Sequence, residues 1–387
     1  MQHDTMRPAS ATRIACVEFG TLMGRRPRVA GSNARLGTHG DMVRVPLLRL
    51  TTPAGIRGFG PCFAQRDQIV TLLDRGLDEV FDEATGVRAP WLPMEYALWD
   101  LRARRDGLPV YALLAAMTGR PLPLPYRVPC YDTSLYIDDL HLPSTEAAAT
   151  LIAAEARAGW AGGHRAFKIK VGRGARHMPL EEGTERDIAV IRAVREAVGT
   201  EAAVLIDANN GYNLNLAKHV LAEVSDCGIG WLEEPFHEDA VLYRDLREWL
   251  ERGGRHVLIA DGEGDAAPRL LDWATEGLID VLQYDIYSHG LTRWLATGRR
   301  LDNDGTRTAP HHYGSAFGNY AACHLAAGLP NFSYVEWDEA VVPGLEPLGY
   351  QLDHGMVNVP ESPGFGLALD DSIFEHAVAD NGFRVSM

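Results

Sequence analysis

Cysteine is scarce and scattered in this chain. Five occur in 387 residues, at positions 16, 62, 130, 227 and 323, and none forms a Cys-x-x-Cys pair. An odd, dispersed set in a chain this long argues against a disulfide framework and reads as reduced thiols in a cytoplasmic protein. No cysteine has a neighbour that suggests nucleophilic catalysis. Long apolar runs are also missing: nothing approaches the ~20 residues of a membrane span. The opening stretch, Met1 to Ala15, lacks the apolar core of a signal peptide. Positive charge is in deficit, with 37 basic against 52 acidic residues and a net charge of −15. That balance argues against nucleic acid or an anionic membrane as a partner. There is no repeat of fixed period and no low-complexity segment.

What is present is ordinary globular composition, 46% hydrophobic and 23% charged. The length exceeds one ordinary core and fits a large barrel plus a smaller domain. Residues 11–65 read as antiparallel strands. Arg13 to Phe19 alternates, Met42 to Thr51 is a longer run, and Pro53-Ala54-Gly55 makes a turn before Ile56 to Gly60. Gly20 to Gly40, rich in Gly and Arg, reads as a loop between the first two strands. Residues 66–117 have helical spacing, and Pro121, Pro123 and Pro125 mark a linker. This predicts an α+β capping domain over 1–126.

From residue 127 strands and helices alternate. Eight strands are predicted: Val128–Tyr136, Ala166–Val171, Val204–Asn209, Gly230–Glu234, Val257–Glu263, Val281–Ile286, Arg307–His311 and Phe332–Trp337. Thr184-x-x-Asp187 reads as a capping box opening one of the helices between them. Eight such units predict an α/β fold with a TIM (β/α) barrel over 127–350. The segment 351–387 is expected to return to the capping domain.

Active sites of such barrels lie at the strand C-termini, and here those ends are dense in ionisable groups. They carry Lys168 and Lys170, Asp207 and Asn209, Glu233 or Glu234, Asp261 or Glu263, Asp285, His311 or His312, and Glu336. Lys168 and Lys170 share a strand face. Carboxylates beside them would hold a hard divalent cation through oxygen ligands, and the cation would polarise a substrate carboxylate. Like-charge repulsion would lower the pKa of one lysine and make it a usable base. Each motif alone is weak: Lys-x-Lys is usually a solvated face, Asp-Ala-Asn a turn, Glu-Glu-Pro a helix entry. Their order on successive strand ends is what carries the reading. His164, His219, His237, His256, His324 and His376 read as surface or helix-face residues.

Taken together, Lys168-x-Lys170, Asp207-Ala-Asn209, Glu233-Glu234-Pro235, Gly262-Glu263, Asp285, Pro310-His311 and Glu336 resemble the enolase superfamily, and within it the mandelate racemase subgroup. The resemblance runs through Pro363-Gly364-Phe365-Gly366, nearly the whole chain. It implies a modified TIM barrel and Mg²⁺ held by Asp207, Glu233 and Glu263. It implies Lys170 as the base on one substrate face, tuned by Lys168, and His311 with Asp285 as the acid/base dyad on the other. It implies Glu336 as a protonated acid that hydrogen-bonds the ene-diolate. Asn209, Thr133 and Arg25 are the expected substrate contacts. Strand parity admits one of Glu233 and Glu234 at the barrel mouth, does not separate Asp261 from Glu263, and leaves His312 as the rival of His311.

Arg25, Arg26, Arg28 and Arg35, with His39, fall where the family's capping loop closes over the substrate, and an arginine-rich lid suits polyhydroxy or dicarboxylic acids. The expected activity is Mg²⁺-dependent dehydration of an acid sugar, an aldonate or aldarate, to a 2-keto-3-deoxy product. The alternatives are a racemase or epimerase of a 2-hydroxy acid, and a non-catalytic metal-binding relative. The expected partner is a small carboxylic acid, the expected state a homo-oligomer.

Overall fold

The computed structural model describes residues 12–264, 266–314 and 316–387. The first eleven residues of the expected capping domain lie outside them.

An antiparallel sheet opens the chain, built from Cys16–Ala30, Gly40–Thr51 and Arg57–Pro61. The helix Glu95–Asp106 lies on its third strand. Gly58 and Gly60 permit that approach, since a Cβ at Gly58 would sit 2.4 Å from the Leu101 Cα. The first strand is longer than expected. It pairs with the second from Cys16↔Thr51 to Arg25↔Met42 and again at Ala30↔Gly40, so residues 20–30 are strand and only 31–39 cover the barrel mouth. Strand alternation then turns Arg25 outward and Arg26 and Arg28 inward.

The barrel has eight parallel strands: Arg127–Leu135, Ala166–Lys170, Ala203–Asp207, Ile229–Glu233, Leu258–Asp261, Val281–Leu282, Arg307–Thr308 and Val335–Trp337. Every predicted strand is present, several clipped at their C-terminal ends. The eighth pairs with the first, Val335 opposite Cys130, and the seventh meets the eighth through a Thr308–Phe332 bridge. The lower interior is a buried layer of Tyr131, Ala166, Leu205, Trp231, Ala260, Val281 and Ala309. Period-2 alternation along the same strands lifts Thr133, Lys168, Lys170, Asp207 and Glu233 into the layers above it.

The expected capping box is not a helix start. The helix runs from Leu180 to Val198, and Thr184 donates its hydroxyl to the Leu180 carbonyl inside the first turn, at 2.7 Å. The C-terminal segment divides its contacts. The hairpin Gln351–Asp353 and Met356–Asn358 pairs with the N-terminal end of the first barrel strand. Helix Asp371–Asn381 and strand Phe383–Ser386 then join the capping sheet along its first strand. All five cysteines are free and buried. Among the described residues no helix is long and apolar enough to cross a membrane.

Candidate active site

Two of the chain's three lysines, Lys168 and Lys170, stand side by side on the second barrel strand. Both are buried. Lys168 Nζ lies 2.8 Å from Glu233 Oε1, 3.1 Å from Glu336 Oε1 and 3.5 Å from Asp207 Oδ2. Lys170 Nζ donates to Asp207 Oδ2. Asp207, Glu233 and Glu263 each offer an oxygen within 4.8 Å of the others. Trp231 Nε1 and Gln283 Nε2 donate to Glu233 Oε2 at 3.1 and 2.9 Å, which fixes its carboxylate plane.

The choice between Asp261 and Glu263 is decided by a backbone angle. Ala260 faces the barrel interior, so Asp261 faces outward, where its oxygens accept from Tyr243 Oη at 2.6 Å and from the Gly262 amide at 2.8 Å. A continuing strand would send Glu263 the same way. Gly262 instead takes φ +129°, a region few side chains tolerate. The turn carries Glu263 back over the mouth.

Glu234 makes a similar turn. Its φ is +43°, and its carboxylate accepts from Asn209 Nδ2 at 3.0 Å and Asn210 Nδ2 at 2.9 Å. Of the two glutamates, Glu233 joins the carboxylate cluster, and Glu234 reaches it only through the asparagines. Asn209, itself at φ +42°, also donates to Glu263 Oε1 at 3.1 Å. Sequence patterning carries no signal for positive φ at a glutamate.

On the seventh-strand side, His311 Nδ1 is 3.0 Å from Asp285 Oδ2. Its Nε2 lies 3.2 Å from Glu263 Oε2 and 3.8 Å from Glu336 Oε2. Asp285 also caps a short helix, accepting from the Tyr287 and Ser288 amides. The two neighbouring histidines diverge. His312 is buried, its ring against the Glu336 carbonyl, while its amide donates to Glu336 Oε2 at 2.9 Å. Thr133 Oγ1 donates to Glu336 Oε1 at 2.7 Å. Arg25 stands apart from this cluster, paired with Asp41 at 3.0 Å with its side chain 69% exposed. His164 and His324, read from the sequence as surface or helix-face residues, are both buried, His324 within the helix Phe317–Leu325.

The charges differ from expectation at two residues. Burial and Lys168 both lower the Lys170 pKa, but Asp207 together with Glu263 and Glu233 outweighs them and raises it to about 12. Like-charge repulsion from Lys168 is present and is overcome. Glu336 was expected to stay protonated. Burial does favour its neutral form, but Lys168, His311 and His312 hold it well below the usual carboxylate range. Its oxygens face the Thr133 hydroxyl, the Lys168 ammonium and the His312 amide. Burial would also depress His311, yet Glu263, Glu336 and Asp285 lift it to about 10. Burial and Asp207 push Glu233 up to about 8, and burial with Glu263 pushes Glu234 up to about 11.

That crowding is itself evidence for the group the site takes. Beyond burial, repulsion from Asp207 and Glu263 raises the proton affinity of both Glu233 and Glu234, and a hard divalent cation relieves it. All three donors at the cluster are carboxylate oxygens, the ligand type Mg²⁺ prefers. The residues present fit the ion.

Comparison with known proteins agrees with this geometry. The family described as Enolase C-terminal domain-like matches residues 151–373.

The chain belongs to that family.

Two solved structures of galacturonate dehydratase from Geobacillus sp. align along almost the whole fold. The E234A mutant complexed with Mg gives a TM-score of 0.94 at 45% identity, covering 97% of each chain. The complex with D-galacturonate and 5-keto-4-deoxy-D-galacturonate gives 0.92 at 46%, covering 97% of this chain and 99% of that one. Among curated relatives, L-talarate/galactarate dehydratase of Salmonella typhimurium is 32% identical over 72% of this chain and 63% of its own. D-galactarolactone cycloisomerase of Agrobacterium fabrum is 28% identical over 74% of this chain and 73% of its own. The enolase-superfamily protein thus has mandelate racemase-type relatives that include both lyases and isomerases.

Proposed function

We propose that this protein is a lyase: an Mg²⁺-dependent acid-sugar dehydratase that removes the proton next to a carboxylate and expels the β-hydroxyl. One observation carries the reading. Lys170 reaches the cluster of Asp207, Glu233 and Glu263 from the Asp207 side, and His311 reaches it from the Glu263 side. A carboxylate-bearing substrate seated there lies between an amine and an imidazole.

When bound by Asp207, Glu233 and Glu263, Mg²⁺ supplies Lewis-acid stabilisation of the substrate carboxylate and takes up the Asp207 charge that now holds the Lys170 proton. Lys170 Nζ is the acceptor for the α-proton, with Lys168 keeping its affinity for that proton in check. His311 is lifted to about 10 and so is charged at neutral pH, which suits it to protonate the departing hydroxyl. Asp285 fixes its ring through Nδ1. Lys168 and Glu336 form an ionised pair behind the reacting carbon, and Thr133 and Asn209 hold carboxylates in place. A positioned acid or base of this kind contributes on the order of 10²–10⁴-fold.

Counted from the carboxylate, the 5-keto-4-deoxy compound in the Geobacillus complex is a 2-keto-3-deoxy acid, the product class expected here. The opposed amine and imidazole would also serve an epimerase. Incubation with an acid-sugar library and Mg²⁺, read with semicarbazide and in D₂O, separates the two. A keto product establishes dehydration. α-Deuterium without a keto product makes the protein an epimerase, and neither signal overturns both. We place the protein in the cytoplasm, which five buried free thiols support. We also infer a homo-oligomer assembled through barrel helices, a reading supported by exposed Leu180 and Val241 at the starts of two of them.

A further inference from the structure

The stretch read from the sequence as a lid carries four arginines, Arg25, Arg26 and Arg28 on the first strand and Arg35 on the covering segment, but their positions do not favour a second carboxylate. Arg26, inside the pocket and 8% exposed, is held by Asp338 in a two-pronged bond of 2.7 and 3.1 Å. Its guanidinium also lies 4.4 Å over the Tyr313 ring. Arg28 donates to the Ser134 carbonyl and hydroxyl at 2.6 and 2.9 Å and pairs with Glu155 at 3.4 Å. Arg25 is outside, on Asp41. Arg35 is exposed at the rim. Every guanidinium that reaches into the far end of the pocket is already matched by protein acceptors.

Beside these matched charges stand neutral rings. His39 from the covering segment stands edge-on to Tyr136 at 5.1 Å and to Tyr313 at 5.7 Å, and Tyr136 lies 5.6 Å from Lys170 Nζ. His39 Nδ1 sits 2.7 Å from the Gly31 carbonyl, so Nδ1 must carry the hydrogen. Burial, with Lys170 and Arg26 nearby, keeps the ring below its usual pKa and hence neutral. Its Nε2 is then a lone-pair acceptor. A sugar hydroxyl can donate to that nitrogen; a carboxylate has nothing to donate and would be desolvated beside it.

We propose that the substrate carries a single carboxylate and a neutral far end, a hexuronate or an aldonate and not an aldarate, and that His39 reads its distal hydroxyls. This rests on the dehydratase reading but is tested apart from it. D-galacturonate, L-galactonate and galactarate share every stereocentre counted from the reacting carboxylate. They differ only at the far carbon, as aldehyde, CH₂OH and carboxylate. Other hexuronates form equivalent trios.

The trios are compared both by turnover and by the Mg²⁺-dependent thermal shift each ligand produces. For the accepted stereochemistry, the monoacids are expected to exceed the aldarate at least ~100-fold in kcat/KM, since a site built around a hydroxyl donor can discriminate by roughly 10⁴–10⁵-fold. His39→Phe keeps the ring contacts and removes the acceptor. It is expected to lower monoacid kcat/KM roughly 10–100-fold, mostly through KM, with Mg²⁺ affinity unchanged. Asp338→Asn loosens Arg26 and is expected to narrow the gap to the aldarate. An aldarate that is turned over or bound as well as its monoacids overturns the proposal, and so does aldarate activity that disappears in Arg35→Ala. A His39→Phe enzyme unchanged on every ligand removes the role of His39. If no acid yields a keto product but the monoacids still bind tighter than the aldarate, the dehydratase reading fails and this one stands.

Discussion

Gly262→Ala isolates the backbone turn that brings the third carboxylate to the mouth. At φ +129° an added Cβ would lie 3.1 Å from the amide nitrogens of Gln283 and Tyr284. The Gln283 amide donates to the Asp261 carbonyl at 2.8 Å, so the backbone there has little room to give. Two responses are open. The chain keeps its turn and bears a strain of about 1–3 kcal/mol, or it relaxes to negative φ and Glu263 swings out. Relaxation is expected to weaken Mg²⁺ about 10–100-fold, the range for losing a group that orients a ligand. Urea unfolding with and without Mg²⁺ separates the two. At a concentration 100 times the wild-type Kd, bound Mg²⁺ adds about 2.7 kcal/mol. If affinity falls about 30-fold, the same concentration adds only roughly 0.9 kcal/mol. A variant matching wild type in both metal-free stability and Mg²⁺ increment would refute the argument that Gly262 directs Glu263. Glu263→Gln, which keeps the turn and removes the charge, is the control: it should lose the increment without the strain.

Lys170→Met and His311→Asn should each cut dehydration at least ~100-fold, with a difference visible in D₂O. The lysine variant should lose α-exchange, whereas the histidine variant should keep exchange and lose the keto product. Exchange kept in the lysine variant and lost in the histidine variant would reverse the face assignment, and equal exchange in both would refute it. His324 is buried between the Tyr111 amide and Tyr350 Oη, at 2.9 and 2.8 Å, and burial lowers its pKa to about 3. A depressed folded-state pKa contributes stability that is present above ~6.5 and lost as pH falls from there toward 3. The loss is on the order of 5 kcal/mol at ~1.4 kcal/mol per pH unit, and His324→Gln should flatten that limb of a stability–pH curve. Arg173 is fully buried between Asp139 and Asp187. Arg173→Met strands both acids and should cost about 3–5 kcal/mol in chemical denaturation.

The barrel was legible in the residues because its signals are local. Strands such as Ala166–Lys170 and Ala203–Asp207 are short apolar runs that end in ionisable groups, and period-2 alternation alone places Lys168 and Lys170 on one face. The resemblance to the enolase superfamily rests on the same strand ends. Helix starts were less legible: Leu180, not Thr184, opens its helix, because the capping pattern Thr-x-x-Asp also occurs inside a turn that faces a buried arginine.

The sequence by itself determined which side chains could meet, the order of the strands that carry them, and the kind of ion they suit. Three things waited for the tertiary structure. The sign of φ at Gly262 and Glu234 put Glu263 over the mouth and brought Glu234 beside it. The protonation of Lys170 and Glu336 depended on Asp207 and on the cations of other strands. The lid arginines were claimed by Asp41, Asp338 and Glu155. Alternation and spacing are properties of neighbours along the chain. Charge, desolvation and the availability of a guanidinium are properties of neighbours in space, often more than a hundred residues away, and no local pattern encodes them.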